Sequence, residues 1–409
     1  MQTDCIILGG GAAGLTAAAA LGESGLRVTV IERLDRVGKK LLSTGNGRCN
    51  LSNADMRPAL YGPAEAFVAD VYAATPPPDV LRFFSHLGLM TAAENGRIYP
   101  RSMQAAAMLD ALRLACDRPG VQLMTGQRAV RIAPSRRGGW SVQLESGEGL
   151  FAPTLLCAMG GSAAPALGTD GSGVQLMTAL GHSATSCVPA LVQLRSDHSA
   201  LRALKGIRVQ AALTLRIDGA NAAQETGELL FCDYGLSGVC VFQLSRLASR
   251  ALAQGRRVEV SVNLLPEIDS LPAWLRTRID ARPALPASSL LTGVFHRLLA
   301  QALLREAGIV PATPVAEIGD REAGALCRAI GALTFSISGT QGFSQAQVTS
   351  GGIRLDEIDP RTMGSRLFDG LYLAGEIVDV DGPCGGYNLH FAFASALTAA
   401  RAIRTQLGA

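Results

Sequence analysis

At 409 residues the chain is two to three times the length of a typical domain, and its 48% apolar and 17% charged residues exclude wholesale disorder. A formal net charge of +3, from 37 basic and 34 acidic residues, excludes a global polyelectrolyte field but leaves room for a local basic patch. The nine cysteines are scattered, odd in number and never spaced Cys-x-x-Cys, which argues against a disulfide framework or a metal site and for a reducing, cytoplasmic compartment.

The apolar run Cys5-Ile6-Ile7-Leu8, the triplet Gly9-Gly10-Gly11, a small-residue stretch from Ala12 to Gly22 and the apolar run Arg27 to Ile31 read as a strand–turn–helix–strand unit. The uncharged segment Cys5 to Gly22 follows Asp4 and is broken by glycines, so it is read as this unit and not as a membrane span. A loop rich in Gly, Asn and Lys runs from Arg33 to Asn53, and Pro76-Pro77-Pro78 precedes a helical pattern at Asp79 to His86. Val121 to Met124 reads as a strand continued past Gly126 by Ala129 to Ile132; Trp140 to Leu144 alternates, and Thr154 to Met159 is a buried strand ending on Gly160-Gly161. From Pro189 the texture changes to alternating strands, including Ala211 to Ile217 and Val258 to Val262, then a helical stretch from Leu271 to Gly308. Leu371 to Leu373 with Ala374-Gly375 is again strand then turn, and a small-residue helix runs from about Asn388 to Leu407. The expected organisation is a first domain of residues 1–188 completed by 341–409, interrupted by an insert of 189–340. Within the insert, 189–265 and 310–340 are expected to be barrel-like and 266–309 helical.

Gly9-x-Gly11-x-x-Gly14 lies between the first strand and helix, where the first glycine permits the turn, the second lets backbone approach a pyrophosphate and the third permits close helix packing. Glu32 closes the second strand eighteen residues after Gly14, the place for a carboxylate that binds a ribose diol. FAD and NAD both fit this pattern. No second fingerprint follows, and the late strand delivering Gly375-Glu376 favours FAD, so NADH or NADPH would dock transiently as electron donor or another protein would supply electrons.

The segments Lys39 to Asn50, Gly351-Gly352, Thr362-Met363, Ala374-Gly375-Glu376, Asp379 to Gly382 and Gly385-Gly386-Tyr387-Asn388 together resemble the BaiN/RdsA (YhiN-like) family of bacterial FAD-dependent flavoproteins over nearly the whole chain. The resemblance implies an α/β fold in which a Rossmann-like FAD-binding domain, a glutathione-reductase-like half, is interrupted by a β-barrel-like and helical insert. It implies reduction of an activated carbon–carbon double bond by hydride from flavin N5, of a uridine in large-subunit rRNA or of a steroid-like enone; other members are associated with amine oxidation. The expected FAD set is Gly9, Gly11, Ala13, Gly14, Glu32 and Arg33 from the opening unit; Lys40, Gly47, Arg48 and Asn50 from the basic loop; Val130, Ala158 and Gly160 from the middle strands; and Gly375, Glu376, Asp381, Gly386, Tyr387 and Asn388 near the end. The chain departs from the family's usual pattern at Val239, where Pro is common, at Cys232-Asp233-Tyr234, where His is frequent, and at Ala396, where Gly is frequent.

Three residues are candidates for delivering a proton. Cys49, beside Arg48, is weighed against a merely buried thiol, Tyr387 against a helix-packing tyrosine and His390 against a surface histidine. In the insert, eight arginines between positions 250 and 306 outnumber five acids and outline a candidate RNA face, against which stands an ordinary solvated surface in an Arg-rich chain. Beside the double-bond reductase, two alternatives remain: a small-molecule enone reductase or amine oxidase, and a non-catalytic flavin-binding ribosome assembly factor.

Overall fold

The computed structural model describes residues 3–136 and 138–409. The chain divides into two compact units, Met1–Val188 with Ala346–Ala409, and Pro189–Gln345.

The first unit is built on a seven-stranded sheet in the order Ile358–Asp359, Gly364–Ser365, Leu371–Leu373, Thr154–Cys157, Cys5–Leu8, Val28–Ile31, Val121–Met124. The last five are mutually parallel, and the first two form an antiparallel margin. Cys5–Leu8 is central, and every side chain in it is at most 1% exposed. A strand covered on both faces has no polar side, which is why it reads as an unbroken apolar run. Helices Ala12–Glu23 and Tyr387–Leu407 pack on each other. Their small residues permit this closeness: Ala17, Ala18, Ala396 and Ala399 are fully buried. Ala396 is therefore accommodated without displacing its helix.

The expected run from Val121 to Ile132 is divided between two sheets. Val121–Met124 joins the parallel sheet, whereas Ala129–Pro134 begins an antiparallel meander with Trp140–Leu144 and Gly149–Ala152. Gly126 takes φ +66° and its N–H donates to Leu34 O at 2.7 Å, turning the chain over the end of the second strand. A third small sheet sets Arg97–Pro100 between Ser52–Asn53 and Thr91–Glu94. His182 is buried between Glu357, 2.8 Å from Nδ1, and Ser365, 3.0 Å from Nε2, and ties its segment to the antiparallel margin of the main sheet.

In the second unit, the hairpin Arg208–Ile217 and Ala220–Cys232 turns at Asp218-Gly219, both at positive φ as a tight two-residue turn requires. The strand order is Leu333–Ser336, Val258–Asn263, Arg208–Ile217, Ala220–Cys232, Gly235–Ser237, Leu194–Arg195, Gly339–Thr340, all antiparallel. The two ends of that order are separated in sequence only by Ile337 and Ser338, so one stretch of chain pairs with both neighbours and closes the sheet into a barrel. Helix Val239–Ala253 packs on the long hairpin, with Val239 at its first position. Proline is well tolerated at that slot, so the family's usual residue and Val239 are both compatible with the local backbone. The expected single helical stretch is two helices, Leu271–Ala281 and Arg297–Glu306, interrupted where Pro283, Pro286 and Gly293 fall. Helicity also resumes beyond residue 309, in Asp320–Gly331, and the unit ends at Gln345.

Candidate cofactor and active site

The turn after the first strand is shaped by what cannot fit there. Gly9 has φ +101° and a Cβ on it would overlap Ala158 O; a Cβ on Gly14 would overlap Gly9 O. Gly11 is different: its φ is −89° and a Cβ there would meet no atom within 4 Å. The space over Gly11 faces the start of helix Ala12–Glu23, whose first-turn N–H groups have no side-chain cap. An open cradle over uncapped amides suits a phosphate group.

Glu32 is anchored at this turn, with Oε2 accepting from Gly10 N and Oε1 from Leu34 N, both at 2.9 Å. Arg33 spends its guanidinium on Asp170 at 2.8 Å, Pro165 O at 2.9 Å and Gly168 O at 3.3 Å. Arg128 approaches the same carboxylate at 3.2 Å. Burial pushes the Asp170 carboxyl up, but hydrogen bonds from Ser172 and the two guanidiniums outweigh it and leave the group below its ordinary value. Asp170 was missed from sequence; its place in the glycine-rich run Gly168-Thr169-Asp170-Gly171 is the signal that could have found it. Ala13 and Ala158 are buried beside this turn, Gly160 has φ +72°, and Val130 is an apolar side chain left 45% exposed.

The two lysines of the basic loop part company. Lys39 pairs with Asp35, one helical turn away in sequence. Lys40 Nζ lies 2.6 Å from Glu376 Oε2, and Glu376 Oε1 accepts from Thr349 N at 2.7 Å. Lys40 is thus held by a carboxylate from the far end of the chain that belongs to the same expected FAD set. Arg48 is likewise engaged, 3.4 Å from Glu94 and 4.8 Å above the Tyr99 ring. Gly47, at φ +81°, belongs to the turn before Arg48.

A second turn, Gly382 to Gly386, leads into helix Tyr387–Leu407. The Asn388 side chain accepts from Gly382 N at 2.8 Å and donates back to Gly382 O at 3.0 Å. Asn53 Nδ2 donates to Gly385 O at 2.9 Å. The Asn50 amide, oriented so that its nitrogen donates to Ser52 O at 2.9 Å and Ile98 O at 3.3 Å, accepts from Gly386 N at 3.1 Å. Gly386 has φ +99°, and a Cβ on it would overlap Ser52 O. Asp381 accepts from the buried Ser350 hydroxyl at 2.8 Å. Beneath the turn, Tyr61 OH lies 2.6 Å from Tyr72 OH and donates to Tyr387 O at 2.9 Å, a network that sequence reading missed entirely.

The proton-donor candidates separate. Cys49 has no exposed surface, and burial pushes its thiol up to about 12, giving it neither access nor acidity. His390 is not a surface residue. It is fully buried, its Nδ1 is 2.8 Å from Ser52 Oγ, and burial pushes its pKa down to about 3, so it is neutral at pH 7. Its Nε2 has no hydrogen-bond partner among the described residues. Tyr387 is raised above its ordinary value, first by burial and then by Asp55, against the pull of Arg57 and Arg97, and is a neutral phenol at pH 7.

In the insert, several of the candidate RNA-facing arginines are already engaged. Arg276 pairs with Asp320 at 3.0 Å, Arg256 with Asp218 at 2.8 Å, and Arg278 donates to Leu290 O and Thr292 O while lying 5.3 Å from the Trp274 ring centroid. No cluster of metal-ligating side chains occurs among the described residues. No helix among them is long and apolar enough to cross a membrane.

A family profile described as the HI0933-like protein Rossmann domain matches residues 3–402. A 3-dehydro-bile acid delta(4,6)-reductase of Clostridium scindens is 38% identical over 401 residues, covering 97% of this chain and 98% of that protein. A ribosomal RNA dihydrouridine synthase of Escherichia coli is 28% identical over 403 residues, covering 97% of each. Among solved structures, a 3-ketosteroid delta1-dehydrogenase from Sterolibacterium denitrificans superposes with a TM-score of 0.52 at 13% identity, covering 99% of this chain and all of that one, a likeness of fold.

Proposed function

The chain belongs to the HI0933-like family and is an FAD-dependent oxidoreductase, and from that premise we propose that it reduces a carbon–carbon double bond conjugated to a carbonyl. The observation that carries this reading is the near full-length, 38% relationship to a bile acid delta(4,6)-reductase. That name and the name of the more distant dihydrouridine synthase describe one kind of chemistry, removal of an alkene next to a carbonyl. A small conjugated ketone is the first substrate class; a uridine in RNA is the second, favoured by the 28% relationship. The order reverses the expectation from motifs alone, which put the rRNA uridine first.

Bound FAD supplies, in its reduced form, a hydride for the conjugated carbon. The chain's residues divide the remaining work. The open turn over Gly11 and the first amides of helix Ala12–Glu23 would hold the pyrophosphate, and Glu32 the adjoining ribose. The Lys40–Glu376 pair and the braced turn Gly382–Gly386 would line the redox end, where Tyr387, neutral at pH 7, is the candidate to return a proton to the neighbouring carbon. NADH or NADPH docking transiently is the proposed electron source, since one dinucleotide fingerprint occurs in the chain.

The test begins with the purified protein and its bound flavin, identified by absorbance and mass. Anaerobic bleaching with NADH or NADPH, followed by addition of a 3-oxo-4-ene steroid or of unmodified rRNA, should give reoxidation with a saturated product. Reoxidation by oxygen alone would reject the double-bond reading, and peroxide release with amines would put an oxidase in its place.

A further inference from the structure

We propose that Arg97 is a further catalytic residue: its guanidinium receives the substrate's carbonyl oxygen and stabilises the negative charge that forms there. The proposal rests on the double-bond reduction argued above. Arg97 opens strand Arg97–Pro100 and sits opposite Asn53, whose side chain holds Gly385 O at 2.9 Å. The register therefore carries Arg97 to the glycine turn that precedes Tyr387. Its charge is felt by two groups there: it pulls down the Cys384 thiol and the Tyr387 phenol, each of which burial raises.

Three guanidiniums belong to this neighbourhood, and two are occupied. Arg57 makes a two-pronged pair with Asp55 at 2.8 and 2.7 Å, and Arg48 lies between Glu94 and the Tyr99 ring. Arg97 is half-buried, and its guanidinium makes no hydrogen bond or ion pair among the described residues, its ladder partners being backbone ones. Removing part of a guanidinium's water without supplying a counter-charge is costly, so an unpaired arginine here is a charge held for something that arrives.

The arriving group follows from the chemistry. When a hydride adds to the far carbon of a conjugated carbonyl, the alkene π bond breaks and its electron pair moves onto the carbonyl oxygen as an enolate. A proton then reaches the carbon next to the carbonyl, the enolate collapses to the saturated carbonyl, and solvent restores the donor's proton. The reductant is the reduced flavin of the reading above. A fixed cation at the oxygen binds the enolate more strongly than the neutral carbonyl, which is the condition for accelerating the step. Ketones and uracil rings both place an oxygen there.

The test uses the flavin-loaded protein, with Arg97→Met and Arg97→Lys. 4-Nitrophenol, whose phenolate oxygen imitates the enolate, is titrated by its absorbance without turnover. Wild type should bind it as the phenolate, and Arg97→Met should weaken that binding about tenfold, with Lys intermediate. In anaerobic stopped flow, reoxidation by the conjugated ketone should slow about 100-fold in Arg97→Met. Flavin content and the rate of bleaching by the donor should not change. Unchanged phenolate binding with normal reoxidation overturns the role of Arg97 alone, and loss of flavin would reassign it to the cofactor. A wild type reoxidised by no conjugated carbonyl overturns the functional reading and this assignment together.

Discussion

The turn that follows the first strand and the turn that leads into the last helix both bring a glycine to a helix start, yet they are built in opposite ways. At Gly11 the backbone is ordinary, the helix is uncapped, and the space above holds no protein atom. At Gly386 the backbone is left-handed, Ser52 O fills the place of a side chain, and Asn50, Asn53, Asn388 and Tyr61 fix the surrounding amides and carbonyls. The first turn is an open cradle bounded by two steric stops, Gly9 and Gly14. The second is a braced edge assembled from two segments remote in sequence, residues 50–72 and 382–388. A cradle must yield space to its ligand, whereas a surface that orients a reaction must not move, and the two architectures follow those demands.

The largest effect separates the stops from the cradle. Gly14→Ala drives a methyl into Gly9 O and should cost about 3 kcal/mol of stability, with loss of flavin, by thermal unfolding and absorbance. Gly11→Ala, which meets no protein atom, should change stability by less than about 0.5 kcal/mol while weakening FAD at least tenfold. Equal losses of stability would collapse the distinction. Next comes the braced turn under acid. His390 falls from 6.5 to about 3 on folding, so between those pH values the unfolded chain binds a proton that the folded one refuses. Its contribution is intact above pH 6.5 and is lost as pH falls toward 3, by about 1.4 kcal/mol per unit. Unfolding midpoints measured from pH 7 to 4 should drop steeply in the wild type and less steeply in His390→Asn; parallel curves would show that another group carries the acid sensitivity. The smallest effect is Tyr61→Phe, which removes one donor to Tyr387 O and one partner of Tyr72 and should cost about 1–2 kcal/mol. Unchanged stability in chemical denaturation would mean that the tyrosine pair does not brace the helix.

The same contrast explains what the sequence could disclose. Gly9, Gly11, Gly14 and Glu32 lie within one local unit, so their spacing carried the geometry with it. The braced turn depends on partners brought together from across the chain, and no periodicity in residues 50–72 announces that Tyr61 and Ser52 will meet Tyr387 and His390. The surface reading of His390 fails because a polar residue on a helix is ordinarily turned to solvent, whereas this one is fully buried against Ser52 and Tyr72. Asp170, the partner of Arg33, is not legible in the sequence, and the pairing of Lys40 with Glu376 is not either, although both belong to the expected set, because an ion pair over such a span leaves no local trace. In the insert, strands are legible by alternation and the barrel-like character follows from the family resemblance, but the pairing of Leu333 to Thr340 with both ends of the sheet is not, since it depends on partners remote in sequence.

Interruption of the first unit also sets a timetable for synthesis. Thr154–Cys157 emerges from the ribosome with one of its two sheet neighbours already made, but the other, Leu371–Leu373, follows only after the whole of Pro189–Gln345. At about 5–20 residues per second, those roughly 160 residues take about 8–30 s. Throughout that interval a strand edge destined for full burial and the face awaiting the last helix stand open in the nascent chain. Translation speed through the insert, and the holding of that edge by chaperones, therefore bear directly on how much of the protein reaches a form able to bind its flavin.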